Sequence, residues 1–358
     1  MLVTFRIPSS ILTGVAGAAA VLATLLACGG GGGGGANPYT PAPSVTDLYV
    51  AGYENNGTSN TAKIWKNGVA TNLTNGTMSA AARAVAVAGN DVYAAGEEFN
   101  GTVTLARLWK NGVATTLSEG TGTASGYSIS LSGADVFVVG YERASSTYYR
   151  AKAWKNGVLA MSTDGTKDAA GYGGILAGGS MYMVGYESNG AFHVAKVWKD
   201  GVATSLSDGT RNAYAMSIVV SGGDVHIAGM EEVTANIYAA KTWKNGVATT
   251  LTDGTKNARA LDVAVSGADV HAVGRETNGS GIDVALSWKN GVRTTLSDGS
   301  NTATAYRVGL AGGDLYVLGW TYNGSTYTAR IWKNGSLNAS IGDGSNSVFG
   351  LGMFLHTH

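Results

Sequence analysis

The sequence predicts an all-β fold, a seven-bladed β-propeller of four-stranded antiparallel blades, and three observations carry that prediction. A turn opened by tryptophan recurs at Trp65, Trp109, Trp154, Trp198, Trp243, Trp288 and Trp332, in steps of 44 or 45 residues. Repeats of ~40 to 45 residues in ~4 to 8 copies are a propeller signature. The 358 residues include 54 Gly, 4 Pro and 13% charged side chains, among runs of Val, Ala, Thr, Ser and Tyr, the composition of short strands joined by tight turns. The two ends of the chain are also out of phase: the first copy opens on its second strand near Asp47, and "SVFGLGMF" (347–354) follows the last copy as a lone first strand. That strand completes the N-terminal blade and closes the ring, whereas an open solenoid needs polar caps.

The elements follow from one copy. In the fifth, strand b is "DVHIAGME" (224–231), strand c "YAAKTWK" (238–244), strand d "VATTLT" (247–252), and "ALDVAVSG" (260–267) is the strand a that leads into the next copy. Asn245-Gly246 joins c to d as a hairpin, because a type I′ turn needs positive φ at both central residues. Ser-Gly-Ala-Asp makes the a-to-b turn similarly tight. Copies start near residues 47, 91, 135, 180, 224, 269 and 314. Strand a, rich in Ala, Gly and Ser, suits the crowded axis. The tryptophan of strand c always accompanies a nearby alanine (Ala62, Ala106, Ala151, Ala195, Ala240, Ala285, Ala329), the large-and-small pairing needed to pack one blade on the next.

Before the repeats, residues 1–27 read as a targeting segment: Met1 to Pro8 carries the single cation Arg6, and Ile11 to Leu26 is a mostly apolar stretch too short for a comfortable membrane span. It ends in Leu25-Leu26-Ala27-Cys28, which resembles the lipobox of bacterial lipoproteins, with the chain's only cysteine at the position that would be lipidated. Leu26 departs from the pattern, where a smaller residue is commoner. The resemblance covers the N-terminus alone. It implies a diacylglycerol on Cys28, a membrane partner through that anchor and a place in the bacterial cell envelope. Gly29, in the position where Asp favours inner-membrane retention, implies the outer membrane. Residues 28–46, with seven glycines and three prolines, form a tether reaching about 23 Å as a flexible coil, and 47–358 form the propeller.

Lysine plus arginine equals aspartate plus glutamate at 24 each. Without a basic field there is nothing to hold nucleic acid. The a-to-b and c-to-d turns are nearly constant between copies, whereas the b-to-c and d-to-a loops vary. A specific site is therefore expected on the variable face, near the channel mouth. Its candidates are Arg143, Tyr148, Tyr149, Arg150, His193, Tyr238, Trp320 and Tyr322, with Tyr172 and Tyr214 as further loop aromatics. The seven tryptophans could serve as sugar platforms, but inter-blade packing is the preferred reading. Six glutamates close strand b (Glu54, Glu98, Glu142, Glu187, Glu231, Glu276), with Thr321 in the seventh place. Such a ring could hold calcium, and the competing reading pairs it with the strand c cations Lys63, Arg107, Lys152, Lys196 and Lys241. Asp164, Asp208, Asp253, Asp298 and Asp343 sit in Asp-Gly loops, primarily turn chemistry. His226 and His271 take the place of Tyr49, Tyr93, Phe137, Tyr182 and Tyr316 in other copies and read as packing aromatics. His356 and His358 form a terminal pair.

No nucleophile elbow, HExxH, phosphate loop or Cys/His cluster is present, so no catalysis and no cofactor beyond the lipid is expected, with calcium the one metal considered. The expected function is an envelope-anchored binding or interaction module that takes carbohydrate, either at repeated shallow sites between blades or at a single site on its variable face. A protein-docking scaffold of the outer membrane and a glycan-active enzyme remain as alternatives.

Overall fold

Each c-to-d turn has positive φ at both central residues, from Asn67 at 49° and Gly68 at 83° to Asn334 at 50° and Gly335 at 85°. That is the type I′ geometry whose twist matches the flanking strands. The computed structural model describes residues 46–143, 147–342 and 344–357; Cys28, the leader and the tether, with Asp343 and His358, lie outside them. Twenty-eight strands among the described residues form seven four-stranded antiparallel sheets, an all-β seven-bladed propeller. We number the blades along the chain and letter the strands a to d from the axis outward. Blade 1 takes its strand a from the far end: Val348–Thr357 pairs with Thr46–Asn55, from Thr46↔Thr357 to Glu54↔Val348, and closes the ring.

The tryptophans hold neighbouring blades together. Trp109 of blade 2 packs on Ala51, Ala62 and Ile64 of blade 1, and Trp65 of blade 1 packs on Leu318, Ala329 and Ile331 of blade 7. All seven are buried, at 1 to 4% exposure. None is therefore a platform for sugars. Truncating one removes a side chain worth about 3–5 kcal/mol in a close-packed interface.

The turns on the constant face carry a second repeated device. Asn67 accepts the Leu48 N–H at 2.9 Å and donates to Asp47 at 2.6 Å, while Lys66 pairs with the other Asp47 oxygen at 2.8 Å. Five further blades repeat it, with Asn111 on Asp91, Asn156 on Asp135, Asn245 on Asp224, Asn290 on Asp269 and Asn334 on Asp314. This is why lysine and asparagine accompany the tryptophan: the turn clamps the start of strand b.

The device that positions the site is a β-bulge. In all seven blades the pairing of strands a and b skips one residue of strand a, leaving Arg83, Tyr127, Tyr172, Met216, Leu261, Tyr306 and Leu351 unpaired. Opposite each stands a glycine of strand b; a Cβ on Gly96 or Gly274, for example, would collide with the carbonyl oxygen of Ala81 or Arg259. Only glycine admits that approach. A bulge bends the strand and re-aims a side chain, and here seven bulges raise a ring of large side chains round the axis.

Candidate functional site

Two cavities meet at that ring. A channel of about 630 Å³ is walled by the strands a, and a cavity of about 450 Å³ lies at its mouth on the variable face. Tyr127, Tyr172 and Met216 line both.

Aromatic side chains run round the mouth in two arcs. In the longer, Tyr149 meets Tyr141 edge-on at 5.1 Å, Tyr141 meets Tyr127 at 5.6 Å, and Tyr127 meets Tyr172 edge-on at 5.4 Å. The arc continues through Tyr186 and Tyr214 to Tyr238, with centroids 5.3 to 6.1 Å apart. The shorter arc gathers Tyr53, Phe349, Tyr327, Trp320 and Tyr322, 4.4 to 5.8 Å apart. Such offset and edge-on contacts are the favoured aromatic geometries. Burial pushes the Tyr186 phenol up to about 12 and also raises those of Tyr127, Tyr141, Tyr172 and Tyr214. These hydroxyls stay protonated, each able to donate and to accept.

Three arginines interrupt the aromatics. Arg83 grips Glu97 with two bonds of 2.5 and 2.6 Å, lies 4.4 Å over the Tyr127 ring, and shares Glu97 with the Ser125 hydroxyl. Burial pulls the Arg83 guanidinium down, but the Glu97 carboxylate outweighs it and holds it above its usual range. Arg275 donates to Asp283; burial lowers it, and Asp283 only partly offsets this. Arg259 stands 5.7 Å over the Tyr238 ring.

Of the residues expected at the site, Tyr238 and Trp320 line the mouth cavity together with Tyr172 and Tyr214. His193 is drawn in behind them, stacked on Tyr186 at 4.2 Å with Nδ1 2.8 Å from the Tyr214 hydroxyl. Burial lowers its pKa, against a smaller opposing effect of Asp168. Tyr149 joins the arc through Tyr141, and Arg143 lies 5.5 Å over its ring. Tyr148 is 43% exposed. Tyr322 contacts Tyr327 and donates to the Gly324 carbonyl at 2.7 Å.

Like Arg143, Tyr148, Tyr149, His193 and Tyr322, Arg150 stands outside the lining of the mouth cavity: its guanidinium lies against Gly165 in the loop after strand d of blade 3, with Nε buried. One expectation is corrected. Tyr172, Tyr214, Tyr238, Trp320 and Tyr322 are strand residues, not loop residues. The loops vary, but the floor of the site is written in strands a and b. Sequence reasoning missed Arg83, Tyr127, Tyr141, Tyr186, Arg259, Arg275, Thr304 and Tyr306. The available signal was the glycine six residues into strand b, constant in every copy, which marks the bulge opposite.

The glutamates of strand b face cations. Glu54 pairs with Lys63 at 2.5 Å, Glu98 with Arg107 at 2.9 Å, Glu142 with Lys152 at 2.6 Å, and Glu187 with Lys196 at 3.9 Å. Glu231 pairs with Lys241. In blade 6, where strand c has Leu286 in place of the cation, Glu276 finds Arg293 of strand d at 3.2 Å. No three of His, Cys, Asp and Glu converge on a common point among the described residues. Calcium would have to displace these cations to use the ring. Asp164, Asp208, Asp253 and Asp298 each accept a backbone N–H two residues on, at 2.9 to 3.0 Å, the turn chemistry expected. His226 and His271 are buried at 6 and 8% exposure, as packing rings. His356 lies on the blade-closing strand, 6.5 Å from Phe354.

Compared with protein-family models the chain matches none, and no curated protein matches it. No helix among the described residues is long and apolar enough to cross a membrane.

Proposed function

We propose that the protein is a carbohydrate-binding module held at a bacterial envelope by a lipid on Cys28, and that its ligand enters the mouth cavity on the variable face. One observation carries the reading: a concave cavity of about 450 Å³ walled by tyrosines and a tryptophan and edged by arginines. Pyranose rings present C–H faces that stack on aromatic rings, and hydroxyls that need partners able both to give and to accept. Neutral phenols supply both. A largely preformed pocket with a few convergent polar groups is the usual form of a small-ligand site, and the contacts that lock these rings to one another provide the rigidity. The symmetry of the blades ends here, since the bulge positions carry one arginine, three tyrosines, one methionine and two leucines. The site is thus a single one at the axis, not one per blade.

Two measurements test this. The purified protein is expected to bind a saccharide at one site per chain, with affinity falling about tenfold or more in Tyr172→Ala or Tyr238→Ala. Silence across a broad glycan panel, with one-to-one capture of a single envelope protein, would replace this reading by the scaffold. For the anchor, Cys28→Ala is expected to abolish metabolic labelling with a fatty acid and to release the protein from membranes.

A further inference from the structure

One cross-strand pair at the mouth is out of character. Where strand a meets strand b on the variable face, most blades set neutral residues opposite each other, as in Ser125↔Tyr141 and Thr304↔Trp320. Blade 6 sets Arg259 opposite Arg275. Like charges directly opposite are destabilising, so such a pair calls for an anion. Asp283 answers Arg275, as Glu97 answers Arg83 across the mouth. Nothing answers Arg259: it forms no ion pair with any described residue, and its buried Nε has no hydrogen-bond partner. At the equivalent position of the next blade, Thr304 is 2% exposed and its Oγ1 is likewise buried without a partner. Both residues line the same cavity.

We infer that Arg259 and Thr304 receive the carboxylate of an acidic sugar, an inference that rests on the carbohydrate reading above. A buried donor left unpaired is costly, and a fold that retains two at equivalent positions of adjacent blades, in residues that line one cavity, is built for a ligand that satisfies them. The guanidinium fork matches a carboxylate in plane and spacing, and the threonine hydroxyl adds a donor beside it. Charge decides between anions. With Arg83 and Arg275 each matched by a carboxylate, one positive charge is left over, which suits a singly charged carboxylate better than a doubly charged phosphate. The sugar ring then falls against the tyrosines that wall the rest of the cavity. Uronic and sialic acids both carry this chemistry.

The test uses the full-length protein in detergent and isothermal titration with a galacturonic acid oligomer, the same oligomer with its carboxyls reduced to alcohols, sialyllactose, lactose, and galactose 6-phosphate. The expected result is that an acidic sugar binds at least tenfold more tightly than its neutral counterpart. The preference should weaken as salt rises and vanish in Arg259→Gln. Thr304→Val, close in shape to the native residue, should reduce it in the same direction, and it serves if the arginine variant does not fold. The galacturonate and sialyllactose arms show which source the carboxylate has. Equal binding of the acidic and neutral oligomers, unchanged in both variants, would overturn the inference and leave the carbohydrate reading standing. Tighter binding of the sugar phosphate would overturn the carboxylate assignment. Silence from every saccharide would overturn both.

Discussion

Asp200 accepts a hydrogen bond from the Ser180 side chain and the Met181 N–H at 2.8 Å, at the turn where six other blades set an asparagine against an aspartate. Blade 4 carries the acid on the opposite partner. The turn therefore tolerates one carboxylate at this junction, on either side.

A double-mutant cycle follows from that exchange. Ser180→Asp alone faces two carboxylates across the turn and is expected to lower the thermal midpoint. Combined with Asp200→Asn it recreates the arrangement of the other blades, and the midpoint should recover to at least the wild-type value. The coupling between the two sites is the quantity to measure. Additive effects would mean that the two side chains do not interact.

The glutamate ring is expected to behave unequally. Glu142 is 1% exposed and bonded to Lys152, itself 3% exposed, while its other oxygen accepts the Glu119 N–H at 2.8 Å. Burial lowers the Lys152 pKa, but Glu119 and Glu142 outweigh it and hold it raised. Glu142→Ala leaves the buried Lys152 ammonium paired with the exposed Glu119 alone, at 2.8 Å, and should cost about 1.5–3 kcal/mol of stability, as for a lost hydrogen bond to a charged group. Glu54→Ala, at the same position on a more exposed pair, should cost no more than about 1 kcal/mol. Chemical denaturation of the two variants checks the contrast. Millimolar calcium should leave both curves in place.

Acid should loosen the propeller through its two inward histidines. His226 and His271 have pKa values below 6.5, lowered first by burial and then by Lys244 and Lys289, with Asp224 and Asp269 opposing. A base whose folded pKa is depressed takes up protons more readily when unfolded. Its contribution is complete above about 6.5 and is lost as pH falls from there through the folded value. The double variant His226→Tyr, His271→Tyr, which copies the ring found in other blades, is expected to flatten that part of the stability curve between pH 7 and pH 5. His193, also lowered by burial, should leave a residual slope that His193→Phe removes.

Asp262 ties three blades together in the channel wall. It accepts the Ser217 hydroxyl of blade 5 at 2.5 Å and the Val308 N–H of blade 7 at 2.8 Å. Burial raises its pKa, against the opposing charge of Arg307. An acid with a raised folded pKa stabilises only while protonated, so its burial weighs against the fold at neutral pH. Asp262→Asn can accept the Val308 N–H with its amide oxygen and donate its amide N–H to the Ser217 hydroxyl, which turns to accept it; without the charge it should raise the thermal midpoint at pH 7, with the gain fading in acid. Asp262→Ala leaves Ser217 and Val308 without their partner and should lower it, by about 1–3 kcal/mol for a buried unsatisfied group.

The blade number, the ring closure, the c-to-d turns and the buried tryptophans were all legible in the sequence. Each is a local rule repeated: Asn-Gly specifies its own turn, and a large side chain beside a small one at a 44- or 45-residue period specifies its own packing. The same repetition made the glutamate–cation pairs readable for five blades and said nothing of the sixth, where strand c has Leu286 and Glu276 pairs with Arg293. Tyr238 and Trp320 were also singled out from the sequence, as aromatics where the copies differ: Trp320 is the one tryptophan at its position, and Tyr238 shares its position with Tyr149 and Tyr327.

The floor of the site was decided only by the tertiary structure. Arg259 and Thr304 stand 45 residues apart, and Tyr127 more than a hundred from Arg259, in strands that meet only because the ring closes on one axis. Tyr127 owes its place there to the bulge, a shift of one residue in pairing that strand propensity does not record, and Arg259 and Thr304 stand two residues before the bulges of their own blades. Whether a charge finds a partner is likewise a property of that convergence: Arg83 meets Glu97 and Arg275 meets Asp283, while Arg259 meets a tyrosine face. Local sequence determined the blades; the closure of the ring determined what their inner edges hold between them.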